Sequence, residues 1–273
     1  MNTVLQDLSP SKIVLAYDAN HIAERTLFSH LPQAELHDDP GILWYATGSD
    51  ADSFNGVLQT QLEPDSLSPA IDRICGYFQR RHLPFLWFVG PSSRPTNLGQ
   101  VLEDQGLIHA ETEPIMAVDL LRMNADIPVS SQLTIHLVTT HEQLLQWLCV
   151  CLSECSEEII QQCFALYSGL HLELQSPMRL YLGTIDGEPV ATSLLSLGVE
   201  TVSLGRIFSL PQHRGQGIGA TMTLAALHEA HACGYRIGLL AASPMGHSLY
   251  RRIGFQEYGT FSVYSVENKC QFS

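Results

Sequence analysis

The chain is short of positive charge. Fourteen lysines and arginines stand against 28 aspartates and glutamates, giving a formal net charge of −14 over 273 residues. Nucleic-acid binding needs a cationic footprint, so that class of partner is not expected. No apolar run reaches 18 residues, so no membrane-spanning helix is expected. Residues 1–16 have neither a basic start nor a clean apolar stretch and do not read as a signal peptide. None of the seven cysteines (Cys75, Cys149, Cys151, Cys155, Cys163, Cys233 and Cys270) forms a C-x-x-C pair, and their number is odd. A secreted disulfide framework is therefore not expected, and a reducing, cytoplasmic setting fits better. Cys149, Cys151 and Cys155 read as lying on one helix and as small buried apolar side chains. His228 and His231 sit at i and i+3 with no third ligand, so no metal is expected there.

Apolar residues make up 45% of the chain, with a mean hydropathy of +0.06. That composition can bury a substantial core, and the length suits two domains of moderate size. The acidic balance suits a cationic substrate such as an amine, but solubility alone explains it more simply. Polar residues around Asn124, Asp126, Pro128, Ser130 and Ser131 mark the boundary, which divides the chain into 1–125 and 126–273.

In the second region, 141–151 and 157–167 read as helices, and 179–185 and 189–197 as strands joined by Asp186-Gly187, a type I′ hairpin signal. A third strand, 201–210, runs into Arg214, Gly215, Gln216, Gly217, Ile218 and Gly219. A helix follows to about Cys233 with Gly234 as its cap, then a strand at 236–242. Ser243-Pro244 is expected to open a short helix ending at Gly254, and 255–266 returns as strand. The first region echoes this order. Ser68-Pro69 opens a helix to about Arg81, 84–89 is an apolar strand, and 95–105 is a helix closing on Gly106-Leu107. The two regions thus read as copies of one unit of more than 100 residues. Trp44, Trp87 and Trp147 lie in apolar contexts and are assigned to packing.

A glycine turn between strand and helix brings backbone N–H groups to an anion at a helix N-terminus. Arg214 adds a forked cationic donor beside it. The corresponding stretch of the first copy, Leu62-Glu63-Pro64-Asp65-Ser66-Leu67, has no glycine, no arginine and two carboxylates. One copy can cradle a diphosphate in this way and the other cannot.

Arg214-x-x-Gly217-x-Gly219 after a strand, followed by Leu249-Tyr250-Arg251-Arg252-Ile253-Gly254-Phe255, resembles the GCN5-related N-acetyltransferase (GNAT) family over 133–266. The first half resembles the degenerate copy of a tandem arrangement. The resemblance implies an α/β (α+β) fold, a mixed, mostly antiparallel sheet flanked by helices in two similar domains, splayed open beside the strand 201–210. It implies that acetyl-CoA pairs with the backbone of Ile207, Phe208 and Ser209. Its diphosphate would lie on the amides of Gly215, Gln216, Gly217, Ile218 and Gly219 beside Arg214. The implied activity is direct transfer of an acyl group to a primary amine, with Tyr250 protonating the departing thiolate. A phenol, with an ordinary pKa near 10, remains protonated at neutral pH.

Aligning Gly106 with Gly254 places Leu102 opposite Tyr250, and leucine donates no proton. Many family members carry asparagine six residues before the tyrosine. Here Pro244 stands there, with Ser243 or Ser248 as the substitute cofactor contact. No general base is assigned. Glu200 reads as a turn residue, and His171 and Glu173 lie in a loop that could face the acceptor. The acceptor class stays open among amino acids, polyamines, aminoglycoside-like drugs and peptide termini. A homodimer is one allowed assembly. A non-catalytic acyl-CoA-binding regulatory module is the alternative reading.

Overall fold

The computed structural model describes residues 4–170 and 176–266. Its first repeat contains α1 (Pro10–Thr26), β1 (Glu35–Asp39), β2 (Ile42–Ala46), β3 (Asn55–Thr60), α2 (Pro64–Arg81), β4 (Leu86–Val89), α3 (Leu98–Asp104) and β5 (Ile108–Asp119). The second contains β6 (Thr134–Leu137), α4 (His141–Cys151), α5 (Glu157–Ser168), β7 (Met178–Ile185) and β8 (Glu188–Leu197). It continues through β9 (Val202–Ser209), α6 (Ile218–Ala232), β10 (Ile237–Ala241), α7 (His247–Ile253) and β11 (Gln256–Ser265).

Local chemistry explains most of these boundaries. Thr140 and Gln143 form a reciprocal capping box at the start of α4, and Ser156 caps α5. Asp186 and Gly187 adopt φ of 51° and 85°, the left-handed pair that a type I′ turn requires.

Three helix starts differ from the sequence reading. The helix expected at Ser68 begins at Pro64, where proline at the first turn and Asp65 beside the positive helix end favour initiation. Pro69 falls inside it. Leu98 opens α3, rather than Pro95. His247 opens α7, rather than Ser243, because the Ser243 carbonyl first accepts Gly246 N and His247 N in a tight turn. Cys163 is buried, but Cys149 is exposed. Cys155 lies beyond the end of α4. The expected cluster of buried cysteines on one helix therefore does not form. Cys270 lies outside the described residues.

Among the described residues all eleven strands join one sheet, in the order β1-β2-β3-β4-β11-β5-β10-β9-β8-β7-β6. Neighbours are antiparallel except at β3–β4 and β9–β10. Each parallel ladder is short: Gly56 with Leu86 and Val57 with Trp87 in the first repeat, Val202 with Gly238 and Ser203 with Leu239 in the second. The order outward from β11 is β4-β3-β2-β1, and outward from β5 it is β10-β9-β8-β7. The two repeats are therefore spatial as well as sequential copies. They also exchange strands. The first repeat's β5 lies along β10, and the second repeat's β11 lies between β4 and β5.

Alternation along the central strands divides the core by face. Ile115, Ala117, Ile237, Leu239 and Phe261 pack with Ile13 and Tyr17 of α1 and with Trp147 of α4. Met116, Val118 and Leu240 pack with Leu224 and Leu227 of α6 and with Tyr250 and Ile253 of α7. Trp44 and Trp87 fill a third cluster under α2 and α3. All three tryptophans are buried, as their contexts predict.

Helix α1 belongs to the first repeat but is fastened to the second. Buried Asn20 donates from Nδ2 to Thr201 O (3.3 Å), Thr201 Oγ1 (3.0 Å) and Ser203 Oγ (3.0 Å). Gly198 leaves room for it, since a Cβ there would stand 1.9 Å from Asn20 Oδ1. Replacing Asn20 by alanine strands buried polar groups and should cost roughly 2 kcal/mol. The expected fall in Tm is about 4–8 °C, read by differential scanning calorimetry. An unchanged Tm would mean that the fastening contributes nothing to stability.

Candidate functional site

The ladder between β9 and β10 ends after Ser203 and Leu239, and from there the strands diverge. A bulge reinforces the divergence. The β8–β9 register slips between Thr192/Phe208 and Leu194/Gly205, and Arg206 adopts φ of 51° within the strand. Thr192 Oγ1 donates to the Arg206 carbonyl at 2.8 Å and holds the bulge in place. The result is a gap whose one wall is the end of β9, including Ile207, Phe208 and Ser209.

The glycine turn stands at the mouth of this gap. Gly217 is the N-cap of α6 with φ of 76°, and no side chain caps the helix. A Cβ at Gly217 would lie 3.0 Å from Pro128 O and from Val129 C. Only glycine supplies both the left-handed backbone and this close approach. The Ile218 side chain is 1% exposed and packs with Val190, Ala191 and Met222, so only its backbone can face a ligand. Arg214 Nε donates to Ser209 O at 3.2 Å, and its guanidinium lies 5.4 Å from the Phe208 ring centre. Gln216 is exposed, with Nε2 3.4 Å from Gln212 O. The uncapped helix start, the left-handed glycines and Arg214 fit a diphosphate. Ser243 stands just past the end of β10, where its carbonyl and hydroxyl accept from Gly246 N. Its hydroxyl thus serves the local turn.

Tyr250 projects from α7 into the core cluster beside the gap, 7% exposed, with its ring edge-to-face on Phe255 and against Gly246. Burial, and secondarily the charge of Glu113, raises its pKa well above the ordinary phenol value. Tyr250 is therefore protonated, not a phenolate, throughout the neutral range.

The first repeat has the same frame with the gap sewn shut. Gln61 bridges Arg94 in parallel, Arg94 N donates to Thr60 O (2.8 Å), and Leu62 N donates to Arg94 O (3.3 Å). Gln61 Nε2 adds a bond to Ser92 O at 2.5 Å. Leu107 N donates to Leu102 O as Phe255 N donates to Tyr250 O, both at 3.0 Å. The two helix ends therefore superpose in role, and fully buried Leu102 occupies the tyrosine's place.

Several charged groups that the sequence reading did not single out border the second repeat's gap. Glu113 lies on β5, Arg206 on the β9 bulge and Glu24 on α1. Burial and the neighbouring Glu111 push the Glu113 carboxyl up to about 7, against the opposing pull of Arg206. Burial also raises Glu24, opposed by Arg25 and Arg206. A narrow crevice adjoins Arg206, lined by Phe54 from the first repeat and by Trp147, Leu148, Cys151 and Tyr167 from the second. Glu113 and Arg206 became legible only once the strand exchange placed β5 beside β10; an arginine inside an apolar strand was the available signal. Glu200 sits exposed in the turn after β8. His171 and Glu173 lie outside the described residues. Among the described residues, no group of three potential ligands could hold a metal, and no helix is long and apolar enough to cross a membrane.

A family model described as an acetyltransferase (GNAT) domain matches residues 177–257. No curated protein matches the chain. Among solved structures, a GCN5-related N-acetyltransferase from Kribbella flavida is similar over 90% of this chain and 95% of its own, at TM-score 0.70 and 18% identity. A tandem GNAT protein from the clavulanic acid biosynthesis pathway is similar over 98% of both chains, at TM-score 0.59 and 15% identity. A GCN5-related N-acetyltransferase from Sphaerobacter thermophilus covers 96% of both chains, at TM-score 0.61 and 15% identity.

Proposed function

We propose that this chain, which carries a GNAT acetyltransferase domain and the fold of tandem GNAT proteins, transfers an acetyl group from acetyl-CoA to a primary amine of a small molecule or peptide. The observation that carries this reading is the contrast between the two gaps. The β9–β10 gap is open, leads to an uncapped helix start and has a buried tyrosine at its side. Its counterpart is laced by hydrogen bonds and has leucine in the tyrosine's place.

The thioester supplies the acyl group. The amides of Gly215, Gln216, Gly217, Ile218 and Gly219, with Arg214, hold the diphosphate. The free edge of Ile207, Phe208 and Ser209 pairs with the pantetheine arm. Ser243 borders the cofactor from the other wall. Tyr250 holds a proton for the sulfur. The acceptor amine approaches from the face covered by α1, so the first repeat walls the acceptor side.

Calorimetric titration with acetyl-CoA should give one site per chain, and no binding would sink the proposal. With the best acceptor from a panel of primary amines, Tyr250→Phe should lower kcat by about 10²-fold. Its acetyl-CoA affinity should be unchanged, because the phenol acts only on the leaving sulfur. Binding without release of free thiol would instead identify a regulatory acyl-CoA module.

A further inference from the structure

The structure assigns Glu113, a residue of the first repeat, as the base that takes a proton from the acceptor ammonium in the second repeat's gap. The inference rests on the acetyltransferase reading above. It begins with register. β5 runs along β10 with Ile115 opposite Ala241, and Ala242 N donates to Pro114 O. Glu113 is therefore the next residue outward, level with the end of β10, where the far wall of the gap turns into α7. Alternation puts Glu113 on the face of Ile115 and Ala117, the face covered by α1. Its cross-strand partner, Phe261, packs on that same face against Tyr17.

The surrounding groups define what the carboxylate can do. On its own face stand Tyr17 and, against Phe261, His21 of α1; Tyr250 of α7 feels its charge from the opposite face, Arg206 of β9 and Glu111 of its own strand act on it, and the adjoining residues of β10 and β11, Ala241 and Phe261, carry no charge. Glu113 thus lies in electrostatic contact with the acid on one side of the gap and with the bulge on the other. It is half-buried, so its carboxyl gives up solvent without being sealed off. With its pKa pushed up to about 7, it is basic enough to hold a proton and still largely ionised just above neutrality. Cofactor and acid come from one repeat and the base from the other, which gives the exchanged strand a chemical role.

The step balances without another reactant. An N–H bond of the ammonium breaks and an O–H bond forms on Glu113. The lone pair left on nitrogen attacks the thioester carbonyl carbon, the C–S bond breaks, and its electron pair leaves on sulfur, which takes the proton of Tyr250. The surplus proton on nitrogen restores Tyr250, and Glu113 releases its proton to solvent.

The sign of the pH dependence follows. Glu113 works only as a carboxylate, so kcat/KM for the amine should fall tenfold per pH unit below about 7 and level off above it. The test is the pH profile of wild type and Glu113→Gln, using acetyl-CoA and the fastest amine among L-amino acids, spermidine and an aminoglycoside. The variant should lose about 10²-fold in kcat/KM near pH 8 and lose the limb near 7, while acetyl-CoA affinity stays within twofold. That retained affinity also shows that the variant has folded; if it is lost, Glu113→Asp supplies the comparison. A limb that persists unchanged in the variant overturns the assignment. Acetyl-CoA binding without acetylation of any amine overturns it together with the transferase reading but leaves the cofactor cradle standing. Failure to bind acetyl-CoA overturns the cofactor reading itself.

Discussion

Residues 126–273 expressed alone should fail to form soluble, cooperatively folded protein, although they contain the matched acetyltransferase segment. The strand exchange is the reason. In the intact chain β11 pairs with β4 and β5, both supplied by the first repeat. Without 1–125, β11 loses every strand partner, and β10 loses the ladder from Ile237–Asp119 to Ala241–Ile115. Ile237, Leu239, Phe261 and Val263 would then face water beside an unpaired strand edge, a template for aggregation. The fragment also loses α1 and with it the Asn20 fastening. The soluble fraction and the thermal transition measure the effect, and co-expression with 1–125 should restore both. A soluble monomeric fragment that binds acetyl-CoA would show that β11 can fold back onto β10, making the repeats separable domains.

Gly217→Glu should weaken acetyl-CoA binding by about 10³-fold or more. Two effects combine. A Cβ at this left-handed position costs about 1–2 kcal/mol and meets Pro128 O and Val129 C at 3.0 Å. A carboxylate near a diphosphate adds repulsion of about 4 kcal/mol at 4 Å and an effective dielectric constant near 20. Since about 1.4 kcal/mol corresponds to tenfold in affinity, charge is the larger effect. Gly217→Ala separates them, because it retains the backbone strain and contact without the charge. It should weaken binding by about tenfold. Equal losses in both variants would mean that loop geometry, and not a bound anion, explains the glycine.

The second repeat was more legible in the sequence than the first, for a local reason. Thr140 with Gln143, Ser156, Asp186-Gly187 and Gly254 are all short-range signals that terminate or start an element by their own chemistry. The first repeat has fewer such signals, Ser9-Pro10 before α1 and Pro40-Gly41 between β1 and β2, and its β3 is organised by burial against the rest of the sheet. The expectation at Ser68-Pro69 missed the helix start because Pro64 already satisfies the same rule one turn earlier. In the candidate site, the glycine turn and Tyr250 stand out because their neighbours in sequence are also their neighbours in space. Glu113 does not. Its relation to Tyr250 spans more than 130 residues and depends on which strand lies beside β10. No periodicity within β5 encodes that choice.

The place of β11 also has a consequence on the ribosome. The strand that completes the first repeat's sheet, β11, is made long after β4 itself. At ~5–20 residues per second, β4 waits roughly ten to thirty seconds after its own synthesis before its second partner leaves the exit tunnel. During that interval a buried-type edge carrying Trp87 and Phe88 stays open on a nascent chain. The interval is a window for chaperone engagement, and it closes when β11 slots between β4 and β5.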